Sequence, residues 1–372
     1  MQVTNPFVVQ GYLSPHYFCD RVEETRYLSQ LVTNGNNVAL ISPRRMGKTG
    51  LILHCLNQAS IKEAYYTFVV DIYATKNLQE FVFELGRAIM ATLKPKGHRA
   101  WELFLNCIAS LRSTITFDMN GNPEWGLGIG EVKTPATTLD EIFDYLEHAG
   151  RPCIVAIDEF QVVANYSDSN IEAVLRTRIQ RCRNTTFIYA GSQRHMMSEI
   201  FLTPSRPFYQ STMLMSLGQI ALDRYTDFAQ NLFGEYQRSI TAEAIADVYN
   251  RYDGITWYLQ AVLNALFAMT ERGACCTQEM VEQAIEQVIT QQSFAYASLL
   301  HQLPTKQKEV LVAICKEGKA ENITSRQFLQ KYHLTASSVQ AATKGLLEKD
   351  FITFDMGVYS PCDRFFAQWL LR

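Results

Sequence analysis

The apolar run Val38-Ala39-Leu40-Ile41 leads straight into Ser42-Pro43-Arg44-Arg45-Met46-Gly47-Lys48-Thr49, and the helix-like Leu51-Ile52-Leu53-His54-Cys55-Leu56 follows. A buried strand, a tight loop ending in Gly-Lys-Thr and a helix, in that order, form the layout of a nucleotide-phosphate cradle. The backbone amides of residues 44–50 and the positive end of the helix would wrap the phosphates. Lys48 adds a point charge, and Thr49 offers a hydroxyl to Mg²⁺. The contacting set is therefore Pro43, Arg44, Arg45, Met46, Gly47, Lys48, Thr49 and Gly50. The full pattern has Gly where this chain has Ser42, and the cradle is expected to tolerate the exchange. An ordinary basic strand-to-helix turn is the plain alternative.

A second element at distance strengthens that reading. Cys153-Ile154-Val155-Ala156-Ile157 is a continuous apolar run, as expected of a parallel strand covered on both faces, and it ends in Asp158-Glu159-Phe160-Gln161. A carboxylate at that strand end is placed to serve Mg²⁺, and its acidic neighbour to polarise an attacking water. Asp158 is assigned to the metal with Thr49, and Glu159 to the water as general base. Alone, the pair would read as two solvated carboxylates closing a strand; the company of Gly47-Lys48-Thr49 decides otherwise.

At 372 residues the chain should hold two or three domains. A net charge of −3 supplies no global field for nucleic acid, so any such contact must come from a local patch. The nine cysteines lack C-x-x-C spacing and read as reduced thiols. Neither a leader segment nor an apolar run long enough for a bilayer is evident, so a soluble, cytoplasmic protein without membrane partners is expected.

Along the chain, Tyr66–Asp71 reads as a strand, and Asn77 with Glu80 caps a helix carrying Leu78, Phe81, Leu85, Ile89 and Leu93 on one face. Residues 113–132 suggest an inserted β-hairpin with its tip at Asn120–Pro123 and a second arm over Trp125–Ile129. Gly126, Gly128 and Gly130 lack the spacing of a dinucleotide fingerprint. Thr138 and Glu141 read as a capping box opening the helix before the Asp158 strand. The strand Thr186–Ala190 ends in Gly191-Ser192; Ser192 reads equally as a group reaching the γ-phosphate or attacking water, and as a turn residue. Met213-Leu214-Met215 is the last strand of this α/β region with its parallel sheet. Residues 222–294 are helical. Helices over Gln307–Lys316, Ser325–Tyr332 and Ala336–Glu348, then a hairpin around Asp355-Met356-Gly357, give a winged-helix layout. The domains expected are 1–220, 221–298 and 299–372, with a weakly structured junction near Gln291–Pro304.

With these pieces in place the chain resembles the archaeal-type ATPase family, close to the STAND branch of AAA+-like P-loop ATPases. Phe18-Cys19-Asp20-Arg21-Val22-Glu23-Glu24 resembles the family's Phe-x-Gly-Arg-x-x-Glu box, with Asp20 in place of Gly. Ser42–Thr49 matches the Arg-Arg-x-Gly-Lys-Thr loop, and Asp158-Glu159-Phe160-Gln161 the Asp-Glu-x-Gln segment. Gly191-Ser192 falls at the sensor position, and Arg206-Pro207-Phe208-Tyr209 resembles Arg-Pro-Leu-Tyr. Asp253–Gln260 resembles a Gly-x-Pro-type segment with Thr256 replacing Pro, and Tyr359–Phe366 the closing tail. The resemblance implies an α/β, RecA-like (ASCE) P-loop core with an extra strand between the phosphate-loop and Asp158 strands, then an all-α lid and a winged helix. It implies ATP with Mg²⁺, and Arg21 near the adenine–ribose end. For Arg206 it implies an arginine finger or its lid-side equivalent, beside which a plain salt bridge stands equally open.

The function expected is an ATP-driven conformational switch with slow Mg²⁺-dependent hydrolysis, in which Lys48, Glu159, Ser192 and Arg206 act on the reacting phosphate. A nucleotide-gated DNA-binding regulator is the alternative, and a small-molecule kinase fits less well. From Leu300 onward ten Lys/Arg face seven Asp/Glu, and Ala336–Glu348 carries Lys344 as its only clear phosphate-binding cation, so the winged helix suits a protein or a DNA partner. A homo-oligomer is compatible with all of these.

Overall fold

The computed structural model describes residues 3–93, 98–110, 116–117, 123–124, 132–167 and 170–372. Contacts divide the chain into two units, Gln10–Gln219 and a second made of Ile220–Arg372 with the N-terminal stretch ending at Val9. That stretch, expected within domain 1–220, thus belongs by its contacts to the second unit.

In the first unit, helix α1 (Val22–Thr33) precedes strand β1 (Val38–Ile41), and α2 (Lys48–Leu56) and α3 (Ala59–Ala64) lead to β2 (Tyr66–Asp71). Helices α4 (Leu78–Leu93) and α5 (His98–Cys107) follow, then two short strands, β3 (Thr116–Phe117) and β4 (Pro123–Glu124). Helix α6 (Pro135–His148), β5 (Cys153–Asp158), α7 (Ile171–Arg181), β6 (Thr185–Gly191), α8 (Arg194–Leu202) and β7 (Met213–Ser216) complete it. The five long strands are parallel, in the order β2-β5-β6-β1-β7. Strand β6 thus lies between the phosphate-loop strand and the Asp158 strand, as the family resemblance implied. Every residue of β5 and β6 is buried, which is why β5 reads as an unbroken apolar run up to Asp158.

Register fixes the site. Ile41 pairs with Gly191, Ile157 with Tyr189, and Asp71 with Asp158, so Ser42, Asp158-Glu159 and Ser192 emerge together at the carboxyl edge of the sheet. Ligands of open α/β sheets bind at that edge. Beneath it, the fully buried ring of Phe160 packs on Tyr189 and Phe208, with centroids 4.6 and 5.4 Å away. Phe160 lies between Glu159 and Gln161 in sequence and anchors the turn that presents them.

Helix starts in this unit follow the local capping pattern in one case and depart from it in another. Asn77 does cap α4, its Oδ1 accepting from Glu80 N at 2.9 Å. Helix α6, however, begins at Pro135 with Thr134 as N-cap, a turn before the expected capping box, because proline pre-sets the first helical φ. Thr138 and Glu141 lie inside the helix and hold Ser110: the Thr138 and Ser110 hydroxyls are 2.8 Å apart, and Ser110 N donates to Glu141 at 3.2 Å. In the region of the expected hairpin β3 and β4 pair antiparallel, with Thr116 opposite Glu124 and Phe117 opposite Pro123, so Pro123 lies in the second strand and not in the turn where it was expected. Trp125–Ile129 and its glycines lie outside the described residues.

The second unit carries α9 (Leu222–Glu235), β8 (Ser239–Ile240), α10 (Ala242–Arg251), α11 (Thr256–Met269), β9 (Cys275–Cys276) and α12 (Glu279–His301). Strands β8 and β9 pair in a region expected to be wholly helical. Then come α13 (Thr305–Glu317), β10 (Ala320–Glu321), α14 (Arg326–Tyr332), α15 (Ala336–Glu348), β11 (Ile352–Asp355), β12 (Val358–Pro361) and α16 (Arg364–Leu370). This is the three-helix-and-hairpin layout expected, with β10 added as a third strand beside β12 and α16 as a closing helix packed on α12. The supposed junction at Gln291–Pro304 is mostly the last part of α12, a continuous 23-residue helix. From the N-terminal stretch, Phe7 is fully buried against Phe228, Phe233 and Phe267. Among the described residues no helix is long and apolar enough to cross a membrane.

Candidate active site

The phosphate loop turns through two left-handed residues, Arg45 (φ 69°) and Gly47 (φ 90°), the latter capping α2. Only glycine adopts that second conformation without strain. Lys48, 6% exposed, folds back so that Nζ donates to the carbonyls of Ser42 and Pro43, each at 3.1 Å. Burial holds its pKa below the ordinary lysine value, against the pull of Glu159 and Asp158; the positive charges of Arg44 and Arg194 act with burial. Three cations therefore converge on the loop. Arg194, in the first turn of α8, was not singled out from sequence; its position two residues after Ser192 was the available signal.

Across the loop, Thr49 Oγ1 donates to Asp158 Oδ2 at 2.5 Å, and the other Asp158 oxygen accepts from Glu159 N at 3.0 Å. Burial pushes the Asp158 carboxyl up from the usual carboxylate range, with the Thr49 bond opposing. A hydroxyl and a carboxylate meeting beside a phosphate loop are the hard oxygen donors Mg²⁺ prefers, so the residues present fit that ion.

Glu159 sits in a left-handed conformation (φ 56°) that swings it off the strand end. Its Oε2 accepts from Ser192 Oγ at 2.7 Å and also from Gln161 Nε2. Ser192 Oγ in turn accepts from Arg44 Nε at 3.4 Å. The Ser192 hydroxyl thus links the Glu159 carboxylate to Arg44 of the phosphate loop. Gln161 is the last residue of the Asp-Glu-x-Gln segment. It is 2% exposed, and its Oε1 has no hydrogen-bond partner.

Gly191 makes this packing possible. A Cβ there would stand 2.3 Å from Met197 Sδ and 2.7 Å from Gln161 Oε1, both on buried side chains. Gly191→Ala should therefore displace Gln161 and lower stability by about 1–3 kcal/mol, the usual range for overpacking. Chemical denaturation of the variant checks this; an unchanged midpoint would mean the site yields without strain.

The remaining residues are placed as follows. Asp20, where the resembled pattern has Gly, adopts φ 51°, a left-handed conformation natural to Gly and tolerated by Asp. Arg21 is 3% exposed and bonds Glu24 Oε1 at 2.8 Å and Gly218 O at 2.6 Å. Gly50 faces Phe18, whose ring would lie 3.4 Å from an added Cβ. Arg206 is engaged in a salt bridge: Nη1 meets Glu172 Oε1 at 3.0 Å, and Nη2 meets Glu199. Of the four residues expected to act on phosphate, the structure brings Lys48, Glu159 and Ser192 into one cluster and holds Arg206 in this separate pair of carboxylates.

The strand order, the loop-to-helix cradle and the carboxylates at the end of β5, one strand beyond β6, define a RecA-like P-loop fold, followed by a C-terminal winged helix. The family model of a probable winged helix domain matches residues 294–372. Over the whole chain, the fold is similar to a Walker-type ATPase of Pyrococcus abyssi at 17% identity and TM-score 0.67, covering 98% of this chain and 99% of that one. It is also similar to the ORC2 protein of Aeropyrum pernix, solved with ADPNP and ADP, at 15% identity and TM-score 0.60, covering 98% and 95%. The ORC1 protein of Aeropyrum pernix in complex with DNA matches at 15% identity and TM-score 0.54, covering 99% and 96%. Comparison with curated proteins gives no sequence match.

Proposed function

We propose that the protein binds ATP with Mg²⁺, hydrolyses it slowly, and changes conformation with the nucleotide it holds. The observation that carries this reading is the cluster in which Glu159, fixed by Ser192 and Gln161, stands beside the Thr49–Asp158 pair and across from Lys48. Lys48, Arg44 and Arg194 supply positive charge for the phosphates, and the loop amides preset dipoles for charge that develops in the transition state. Thr49 and Asp158 would hold Mg²⁺, which when bound neutralises phosphate charge. Glu159 orients a water and takes its proton. The same Glu159 oxygen already accepts two hydrogen bonds, which must be shared or released in that step; this supports slow turnover.

The switch reading has a direct test. Hydrogen exchange of the parent should change on adding ATP–Mg²⁺, whereas Lys48→Ala should show no change. A ligand shifts an equilibrium only by its difference in affinity for the two states. Identical patterns in all four samples, with ATP bound to the parent, would leave a rigid ATPase.

A second reading, nucleotide-gated DNA binding through the winged helix, is supported by the fold shared with an ORC1 protein solved on DNA. Against it, the exposed positions of α15 are Ala336, Ser337, Gln340, Ala341, Lys344 and Glu348, with a single cation among them. Phosphate contacts supply most non-specific affinity, so this helix offers little. Titrating the same samples with a labelled duplex separates the two readings.

A further inference from the structure

We propose that Ser42 is a positioning residue that ties the phosphate loop to the segment through which the chain leaves the nucleotide unit, with Arg21 as its neighbour in that task. The inference rests on the ATP-binding reading above. Ser42 is fully buried, and its Oγ donates to Leu217 O at 2.9 Å. Arg21 donates to the next carbonyl, Gly218 O, at 2.6 Å. The first unit ends one residue later, at Gln219. Within the second unit, Ile220 O accepts from Tyr249 OH at 2.8 Å. Side chains therefore grip the backbone on both sides of the division, and on the nucleotide side one of them belongs to the phosphate loop itself.

Ser42 is bonded at every polar atom. Its amide donates to Gly191 O at 3.4 Å, at the end of the strand that leads to Ser192. Its carbonyl accepts from Lys48 Nζ at 3.1 Å. The ammonium that would meet phosphate, the strand end bearing Ser192 and the exit segment thus converge on a single residue. An anionic phosphate competes with the Ser42 carbonyl for Lys48, so nucleotide binding alters the load on the peptide whose hydroxyl holds Leu217. Glycine at this position would leave the loop intact and abolish the tie. The serine is then the feature that lets the exit segment register the nucleotide.

Hydrogen exchange of the full chain tests this, using the parent, Ser42→Ala and Ser42→Gly. Each is measured without nucleotide and with ATP–Mg²⁺ at saturation, and ATP affinity is determined for each protein separately. Without nucleotide, both variants should exchange about fivefold faster over residues 215–220, as expected for losing one intramolecular hydrogen bond. Exchange over the central strand Cys153–Asp158 should stay unchanged. With ATP, the parent should show a shift over 215–220, and both variants should lose it while still binding ATP within about tenfold of the parent. An ATP-induced shift in the variants equal to that of the parent would overturn the coupling alone. Unchanged nucleotide-free exchange would likewise show that the tie carries no load. If the parent fails to bind ATP, the functional reading and this inference fall together.

Discussion

Glu159→Gln should bind ATP as the parent does and release phosphate about 10²–10⁴-fold more slowly, the range typical for losing a positioned general base. The expectation follows from the geometry around one oxygen. Ser192 Oγ and Gln161 Nε2 both donate to Glu159 Oε2, and the amide oxygen of glutamine can accept the same two bonds. The variant should therefore keep the local arrangement and the charges that meet phosphate, and lose only the ability to take a proton. Nucleotide affinity measured beside phosphate release distinguishes these effects. Turnover equal to the parent's would remove Glu159 from the role and make Asp158 the candidate.

Lys48→Ala should weaken ATP binding by at least about a hundredfold, which corresponds to roughly 2.7 kcal/mol. The ammonium is buried beside the carboxylates Asp158 and Glu159, so its removal leaves two negative charges facing an anionic ligand with less compensation. A charge-assisted contact to phosphate is lost as well. Isothermal titration with ATP in the presence of Mg²⁺ gives the comparison. A loss under about threefold would mean that phosphate sits elsewhere.

The parts of this site legible in sequence share a physical cause. Strands β5 and β6 are covered on both faces, so β5 is an unbroken apolar run and β6 is rich in β-branched and aromatic residues, and their polar ends, Asp158-Glu159 and Ser192, stand out against them. The phosphate loop is equally local: Gly47, Lys48 and Thr49 act within one turn of chain. Sheet order is not a local property, and only the resemblance to a known family supplied it. The hydroxyl of Ser42 finds its partner 175 residues away, so nothing near Ser42 in sequence announces the bond. Thr138 and Glu141 satisfied a capping pattern, yet their side chains serve Ser110, a tertiary contact that overrides the local one. The pairs β8–β9 and β10–β12 were missed because two-residue strands are too short to show a period. Phe7 lies in an irregular stretch between breakers, and only packing against Phe228, Phe233 and Phe267 reveals it as a core residue. Arg206 shows a different limit: sequence left finger and salt bridge open, and the carboxylates of Glu172 and Glu199 come from helices α7 and α8, which no short motif connects.

The central claim is that this cluster directs water onto the terminal phosphoryl group of ATP. Its most direct test is to incubate the purified full chain with ATP and Mg²⁺ in isotopically labelled water and to analyse the phosphate by mass spectrometry, with Glu159→Gln in parallel. ADP and phosphate should appear in equal amounts, with one labelled oxygen in each phosphate from the parent and almost no release from the variant. ATP bound without phosphate release, or release undiminished in Glu159→Gln, would contradict it.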